Sequence, residues 1–340
     1  MKALLLKDVE KLEYCDLPMP EPKADEILVK VAACGVCGTD LHLFHGEEGA
    51  GSKVMPLVMG HEFSGVVVAA GDKVKTLKVG DRVTVDPNVY CNECFQCRRG
   101  KGHFCEHAEA YGVSMFGGFA EYCAVKERAA YRLPDGLDLH HAALVEPVAC
   151  CLHGIDRANI RPGDTVAVIG CGSIGQLMLQ LAGLYGAANI IAVDPVESKR
   201  EIALKLGATM AIDPMAQDVK QTIQDAGILS VDTVIECVGN VHTMEQAVDI
   251  ASRGATVLLF GLTAPGAKMV VQPFEQVFRK ELTITSSFVN PLVSQRVIDL
   301  MASGKLNLDA VITDRIPLAQ GAEVFTDNSY RRHGKILIVP

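Results

Sequence analysis

Gly170-Cys171-Gly172-Ser173-Ile174-Gly175 closes an apolar run at 165–170 and opens a helical pattern through 176–185. A G-x-G-x-x-G motif alone carries little weight. Between a strand and a helix it reads as the turn that cradles a dinucleotide pyrophosphate. Gly170 permits the tight turn, Gly172 lets the backbone approach the phosphates, and Gly175 lets helix and strand pack closely. Further apolar runs at 189–194, 231–237 and 255–261 alternate with longer helical segments, and another strand candidate lies at 282–288. This alternation predicts α/β architecture with a doubly wound parallel sheet. Asp194, 19 residues beyond Gly175, ends the second strand. A carboxylate there accepts hydrogen bonds from ribose hydroxyls and repels a 2′-phosphate, which favours NAD over NADP. Lys199 and Arg200 lie close by and pull the other way, since a basic residue can accommodate that phosphate.

The rest of the chain has a different rhythm. Residues 1 to about 150 carry short apolar runs at 27–32, 63–69, 82–85 and 119–126, broken by Gly and Pro. This pattern predicts a mainly β, barrel-like or sandwich-like domain. After 288 the sequence predicts a helix at 292–303 and a short apolar tail at 335–339. The 340 residues suit about two domains. A net charge of −9 argues against a polyanionic nucleic-acid ligand. No uninterrupted apolar run reaches the ~20 residues a membrane helix needs. Charge interrupts residues 1–8 too early for a signal peptide. A cytoplasmic protein with reduced thiols is therefore expected.

Cys91, Cys94, Cys97 and Cys105 form C-x2-C-x2-C-x7-C. Four thiolates this close suit a closed tetrahedral Zn²⁺ site, which leaves no position for a substrate and so reads as structural. A second set is more open. Cys37-Gly38-Thr39-Asp40-Leu41-His42 places a thiol, a hydroxyl, a carboxylate and an imidazole in one short segment, and Gly60-His61-Glu62 follows. A Zn²⁺ held by Cys37, His61 and a carboxylate would keep a fourth position open, as catalytic zinc requires.

Gly60-His61-Glu62-x2-Gly65-x5-Gly71-x2-Val74 completes a pattern in which the chain resembles the zinc-containing medium-chain dehydrogenases/reductases. The four-cysteine lobe, the Cys37 segment and the glycine fingerprint fall in that family's order across essentially the whole chain. The resemblance implies a GroES-like catalytic domain at 1–150 and 288–340, with a structural zinc lobe at 88–107. A Rossmann NAD-binding domain at 151–287 would be inserted between them, with the active site in the cleft. It implies two zinc ions per chain, one catalytic and one structural, and NAD as cofactor. Cys37, His61 and Glu62 match the catalytic zinc ligands of the polyol and threonine dehydrogenase branch. Glu146 matches the carboxylate beside that zinc which exchanges with water as a ligand. Whether Glu62 or water fills the fourth position stays open. Thr39 and His42 match the proton-relay hydroxyl and imidazole, and Asp40 would orient His61. Ser173, Ile174 and Lys199 would join the fingerprint glycines and Asp194 at the cofactor, with Gly261, Leu262 and Ser287 on the later strand ends.

The implied reaction is hydride transfer from a secondary alcohol to NAD⁺, with a polyol, sugar alcohol or vicinal diol as substrate. The branch's sorbitol enzymes in animals carry F-R-Y after the last Rossmann strand, where this chain has Phe288-Val289-Asn290-Pro291. That departure argues against sorbitol itself. L-Threonine and simple secondary alcohols remain as alternatives, although the threonine branch usually has Asp-Pro in place of Glu146-Pro147. Phe44, Met115, Phe116, Phe288 and Asn290 are candidate pocket residues. A zinc- and NAD-binding redox sensor without turnover is the reading from another class, and the intact set Cys37, Thr39, His42, His61 and Glu62 argues against it. A homo-oligomer is expected, either a dimer paired through the edge strand at 282–288 or the tetramer common among polyol-type relatives.

Overall fold

Strand Thr165–Ile169 is buried along its whole length, as is Thr233–Glu236. Strands of this kind have both faces covered, the situation of a parallel sheet flanked by helices. The computed structural model describes residues 1–47, 54–327, 330 and 334–340. It separates into two units, Met1–Ala149 with Asn290–Pro340, and Cys150–Val289.

The second unit holds a six-stranded sheet in the order Met210–Ile212, Asn189–Val193, Thr165–Ile169, Thr233–Glu236, Thr256–Leu259, Thr283–Ser286. Every neighbouring pair is parallel. Numbered within the unit, this is the order 3-2-1-4-5-6 of the doubly wound nucleotide-binding fold. Apolar β-branched residues fill its core, among them Ile169, Ile191, Val193, Val234 and Val257. Helix Ser173–Leu184 follows the first strand and buries Leu177, Met178, Leu179 and Leu181. Thr283–Ser286 forms one edge of the sheet.

The first unit is mainly β. Strand Glu26–Gly35 is its hub, antiparallel to Glu62–Ala70, Tyr122–Lys126 and Lys335–Val339. A separate three-stranded sheet joins Lys11–Asp16, Lys2–Asp8 and Leu57–Val58. Leu4, Ile27, Phe63, Val67, Tyr111, Phe119 and Ile338 pack in a common core. Register decides what this unit does. Gly35 lies opposite Glu62 and also opposite Leu337, so the residues just past Gly35, the start of Glu62–Ala70 and the start of the last strand meet at one end of the sheet. The short ribbon Asn88–Val89 with Glu109–Ala110 flanks the four-cysteine segment.

Candidate active site

Cys37, His61 and Glu62 converge at that sheet end, with one ligand atom from each lying within 4.8 Å of the others. Cys37 sits at the N-cap of helix Gly38–Phe44. Its N–H donates to Asp40 Oδ2 at 2.9 Å, and its Sγ lies 3.7 Å from Thr39 Oγ1. Asp40 is fully buried, and its Oδ1 is 3.4 Å from His61 Nδ1. With Nδ1 turned toward Asp40, Nε2 is the ring nitrogen left for a metal. Nδ1 forms no aligned hydrogen bond among the described residues. A buried imidazole facing a thiol and two carboxylates, its Nδ1 without a hydrogen bond, suits a divalent cation.

The electrostatics agree. Burial alone would lower the His61 pKa, but the charges of Asp40 and Cys37 outweigh it and hold the ring well above 6.5 in the metal-free protein. The proton stabilises the metal-free fold fully below pH 6.5, a contribution that fades as pH rises toward the raised value. Zinc must displace this proton. Zinc affinity at this site is therefore expected to climb with pH above 6.5, by up to about tenfold per unit for each proton displaced. Calorimetry in buffers of differing ionisation heat should register the release. A zinc affinity flat across that window would contradict this account.

Glu62 has a partner of its own. Lys335 Nζ donates to Glu62 Oε1 and Oε2, each at 2.8 Å, and to the Val36 carbonyl at 3.0 Å. The two side chains are 3% and 1% exposed, so neither charge has water to fall back on. Burial pushes the Lys335 pKa down, but the charge of Glu62, with help from Cys37 and Glu146, outweighs it and leaves the amine above its ordinary value. Gly35 makes room for the carboxylate, since a Cβ there would stand 2.1 Å from Glu62 Oε2. Glu146 is buried near the start of helix Val145–Ala158. It is outside the set that converges within 4.8 Å, although its charge reaches Lys335. His42 lies one turn beyond Thr39 on the same helix, and its Nδ1 is 2.6 Å from Glu47 Oε2.

The ligand atoms of Cys91, Cys94, Cys97 and Cys105 likewise lie within 4.8 Å of one another. Backbone N–H groups of Glu93 and Cys94 point at Cys91 Sγ, and those of Cys91 and His107 at Cys105 Sγ. Donors aimed at sulfur favour thiolates. The Cys97 thiol is pushed up to about 12 by partial burial and by its neighbours, Cys94 first among them. Cys94, by contrast, is drawn down to about 6 by backbone N–H groups and its neighbouring thiols, and four sulfurs converging in this way form a donor set that fits zinc.

In the second unit the fingerprint glycines play three separate roles. Gly170 has φ +90°, and a Cβ there would meet Val238. A Cβ on Gly175 would stand 1.8 Å from the Gly170 carbonyl oxygen. Gly172 caps helix Ser173–Leu184, and a Cβ there would meet nothing within 4 Å. Space left open at a helix N-terminus is a cradle suited to a pyrophosphate. Asp194 is buried, accepting Cys171 N–H at Oδ2 and Val196 N–H at Oδ1, both at 2.8 Å. At the next strand end, Glu236 Oε1 accepts from Val238 N–H, Gly239 N–H and Thr243 Oγ1. Gly261 lies against this turn, because a Cβ on it would meet Gly239 N at 2.2 Å. Leu262 is exposed, and the Ser287 hydroxyl is buried with no partner among the described residues.

Residues 23–135 match the family model of the alcohol dehydrogenase GroES-like domain, and 173–303 match that of the zinc-binding dehydrogenases. D-arabinitol dehydrogenase 1 of Uromyces fabae is 34% identical, the match covering 100% of this chain and 97% of the relative. The chain belongs to the zinc-dependent alcohol dehydrogenase superfamily of medium-chain dehydrogenases/reductases. D-arabitol-phosphate dehydrogenase of Enterococcus avium is also 34% identical, over 93% of this chain and 90% of the relative. A zinc-binding dehydrogenase of Sinorhizobium meliloti 1021, solved bound to NADP, superposes with a TM-score of 0.96 at 41% identity, covering 100% of this chain and 99% of that one.

As a member of that superfamily the chain is an oxidoreductase of the alcohol/polyol type that uses zinc and NAD. Its GroES-like and Rossmann folds match the expectation from sequence. Among the described residues no helix is long and apolar enough to cross a membrane. Phe44 departs from its expected place at a pocket. It is 3% exposed, with its ring 5.5 Å from that of Phe325 in the β core. Apolar surface drew it inward, where a bulky ring gains most. Met115 packs on the same core, and Phe116 and Phe288 are exposed. Asn290 is fully buried and accepts a hydrogen bond from Asn88 Nδ2 at 2.7 Å. Sequence reasoning missed Lys335, Glu47 and Glu236. Only Glu236 had a local signal, as the carboxylate ending a predicted strand.

Proposed function

We propose that this dehydrogenase oxidises a secondary alcohol within a polyol, sugar alcohol or vicinal diol, with NAD⁺ as hydride acceptor. The supporting observation is the convergence of Cys37, His61 and Glu62 within 4.8 Å, with the Thr39 hydroxyl 3.7 Å from Cys37 Sγ. Cys37 and His61 would hold the catalytic zinc, with Glu62 or water completing the set and Glu146 in reserve. Cys91, Cys94, Cys97 and Cys105 would hold the structural zinc. When bound, zinc supplies Lewis acidity toward the alcohol oxygen and NAD⁺ accepts the hydride.

The chain's own side chains do the rest. Thr39 Oγ, beside Cys37, accepts the substrate's hydroxyl proton as its own hydroxyl proton passes on toward His42. With Glu47 taking the His42 Nδ1 proton in a hydrogen bond, His42 Nε2 is the acceptor that receives the relayed proton. Asp40 keeps His61 oriented. Gly170, Gly172, Ser173, Ile174 and Gly175 would seat the pyrophosphate. Asp194 and Lys199 would serve the adenosine ribose, with Gly261, Leu262 and Ser287 bordering the nicotinamide half. The catalytic domain would run 1–150 and 288–340, with the NAD domain at 151–287. The edge strand Thr283–Ser286 would pair with a second copy. Exposed Val270, Phe274 and Phe278 in the same unit supply apolar surface for that contact.

The test is NADH formation by the zinc-loaded protein with polyols, sugar-alcohol phosphates, vicinal diols, simple secondary alcohols and L-threonine. Turnover favouring one of the first three classes is the expected result. Preference for L-threonine, or silence across the panel at full zinc occupancy, would overturn the substrate class. Light scattering on the same sample should give an even number of chains per particle.

A further inference from the structure

We infer that Asp213 is a specificity-determining residue that makes the nucleotide site select NAD over NADP by holding Arg200 inward. The inference rests on the dinucleotide site and not on which alcohol is oxidised.

Discrimination between the two cofactors is made beside the 2′ position of the adenosine ribose, at the end of the second strand. Two cations stand there. Lys199 and Arg200 both lie in the first turns of helix Glu197–Lys205, and both charges are felt by Cys171 in the glycine loop. A free arginine at this place would receive a 2′-phosphate through paired N–H donors. Arg200 is not free. Its Nη1 donates to the Asp194 carbonyl at 2.7 Å and lies 3.4 Å from Asp213 Oδ2, with the side chain 18% exposed.

Asp213 follows strand Met210–Ile212, which pairs in parallel with the Asp194 strand, so it arrives at the ribose end from the neighbouring position in the sheet. Its two oxygens have separate duties. Oδ1 accepts the Met215 N–H at 2.9 Å and forms the turn, while Oδ2 faces the guanidinium. Asp194 cannot swing away from a phosphate, because Cys171 and Val196 N–H groups fix both of its oxygens. A 2′-phosphate would therefore meet one immobile carboxylate, a second carboxylate behind it, and a guanidinium already neutralised. Lys199 alone would remain to receive it.

Asp213→Asn is the informative substitution. An amide oxygen keeps the Met215 turn, and only the charge facing Arg200 is lost. NADH and NADPH binding should be measured by calorimetry or nicotinamide fluorescence, without alcohol, on the wild type, Asp213→Asn, and Asp213→Asn with Arg200→Gln. The wild type should bind NADH more tightly. Asp213→Asn should tighten NADPH about tenfold while moving NADH less than about threefold, and adding Arg200→Gln should erase the gain, a difference of about 1.4 kcal/mol. Asp213→Ser, which also retains a turn-forming oxygen, serves as a second variant. The inference is overturned if the wild type binds both cofactors equally, if NADPH affinity is unchanged in both Asp213 variants, or if the gain survives loss of Arg200.

Discussion

Replacing Lys335 with methionine should destabilise the metal-free protein by about 3–5 kcal/mol, and supplying zinc should restore a large part of that loss. The magnitude follows from breaking a buried ion pair while leaving one charge behind. Glu62 is 1% exposed and both its oxygens rest on Lys335 Nζ, so in the variant its carboxylate has neither cation nor water. Methionine fills similar volume without the charge, which separates electrostatics from packing. Zinc would offer Glu62 a second cation, at the cluster it forms with Cys37 and His61. Denaturant midpoints of wild type and variant, each with chelator and with zinc, check the expectation. The gap between the two proteins should be wide with chelator and narrow with zinc. A gap of equal width in both conditions would show that Lys335 supports the strand and has no coupling to the cluster of Cys37, His61 and Glu62.

This pairing also shows where sequence reading stopped. The nucleotide-binding fold was legible because its signals are local. Thr165–Ile169 reads as a strand, Gly170 to Gly175 as a turn, and Ser173–Leu184 as a helix, all within one short stretch. The convergence of Cys37, His61 and Glu62 was legible because Cys37 lies in a six-residue segment with Thr39, Asp40 and His42, and His61 sits in a family pattern with Glu62. Lys335 lies 273 residues from Glu62, at the start of the last strand, and nothing beside it distinguishes it from a surface lysine. Its role appears only when the register sets Leu337 opposite Gly35. Asp213 is the same case in the other unit, an aspartate that no local motif marks and that the parallel register brings to Arg200. Phe44 fails for the converse reason. An aromatic near a metal segment suggests a pocket, but helix Gly38–Phe44 aims its last residue into the β core.

Thr39→Val should lower kcat by about 10²- to 10⁴-fold, the range typical of removing a positioned proton-transfer group. Zinc content and fold should be unchanged. Valine has nearly the shape of threonine, and Thr39 lends its backbone and shape to the first turn of helix Gly38–Phe44 while its hydroxyl faces Cys37 Sγ at 3.7 Å. The N-terminal capping of that helix depends on Cys37 and Asp40, which the substitution leaves alone. The loss should therefore fall on the step that needs an oxygen to take the alcohol's proton, and substrate binding should change much less. Steady-state kinetics on the best substrate, with zinc and NADH binding assayed on the same preparation, give the comparison. Loss of zinc together with activity would mean that the hydroxyl supports the Cys37 site. Near-normal kcat would remove Thr39 from the relay and leave His42, three residues further on and bonded to Glu47, without a donor to serve.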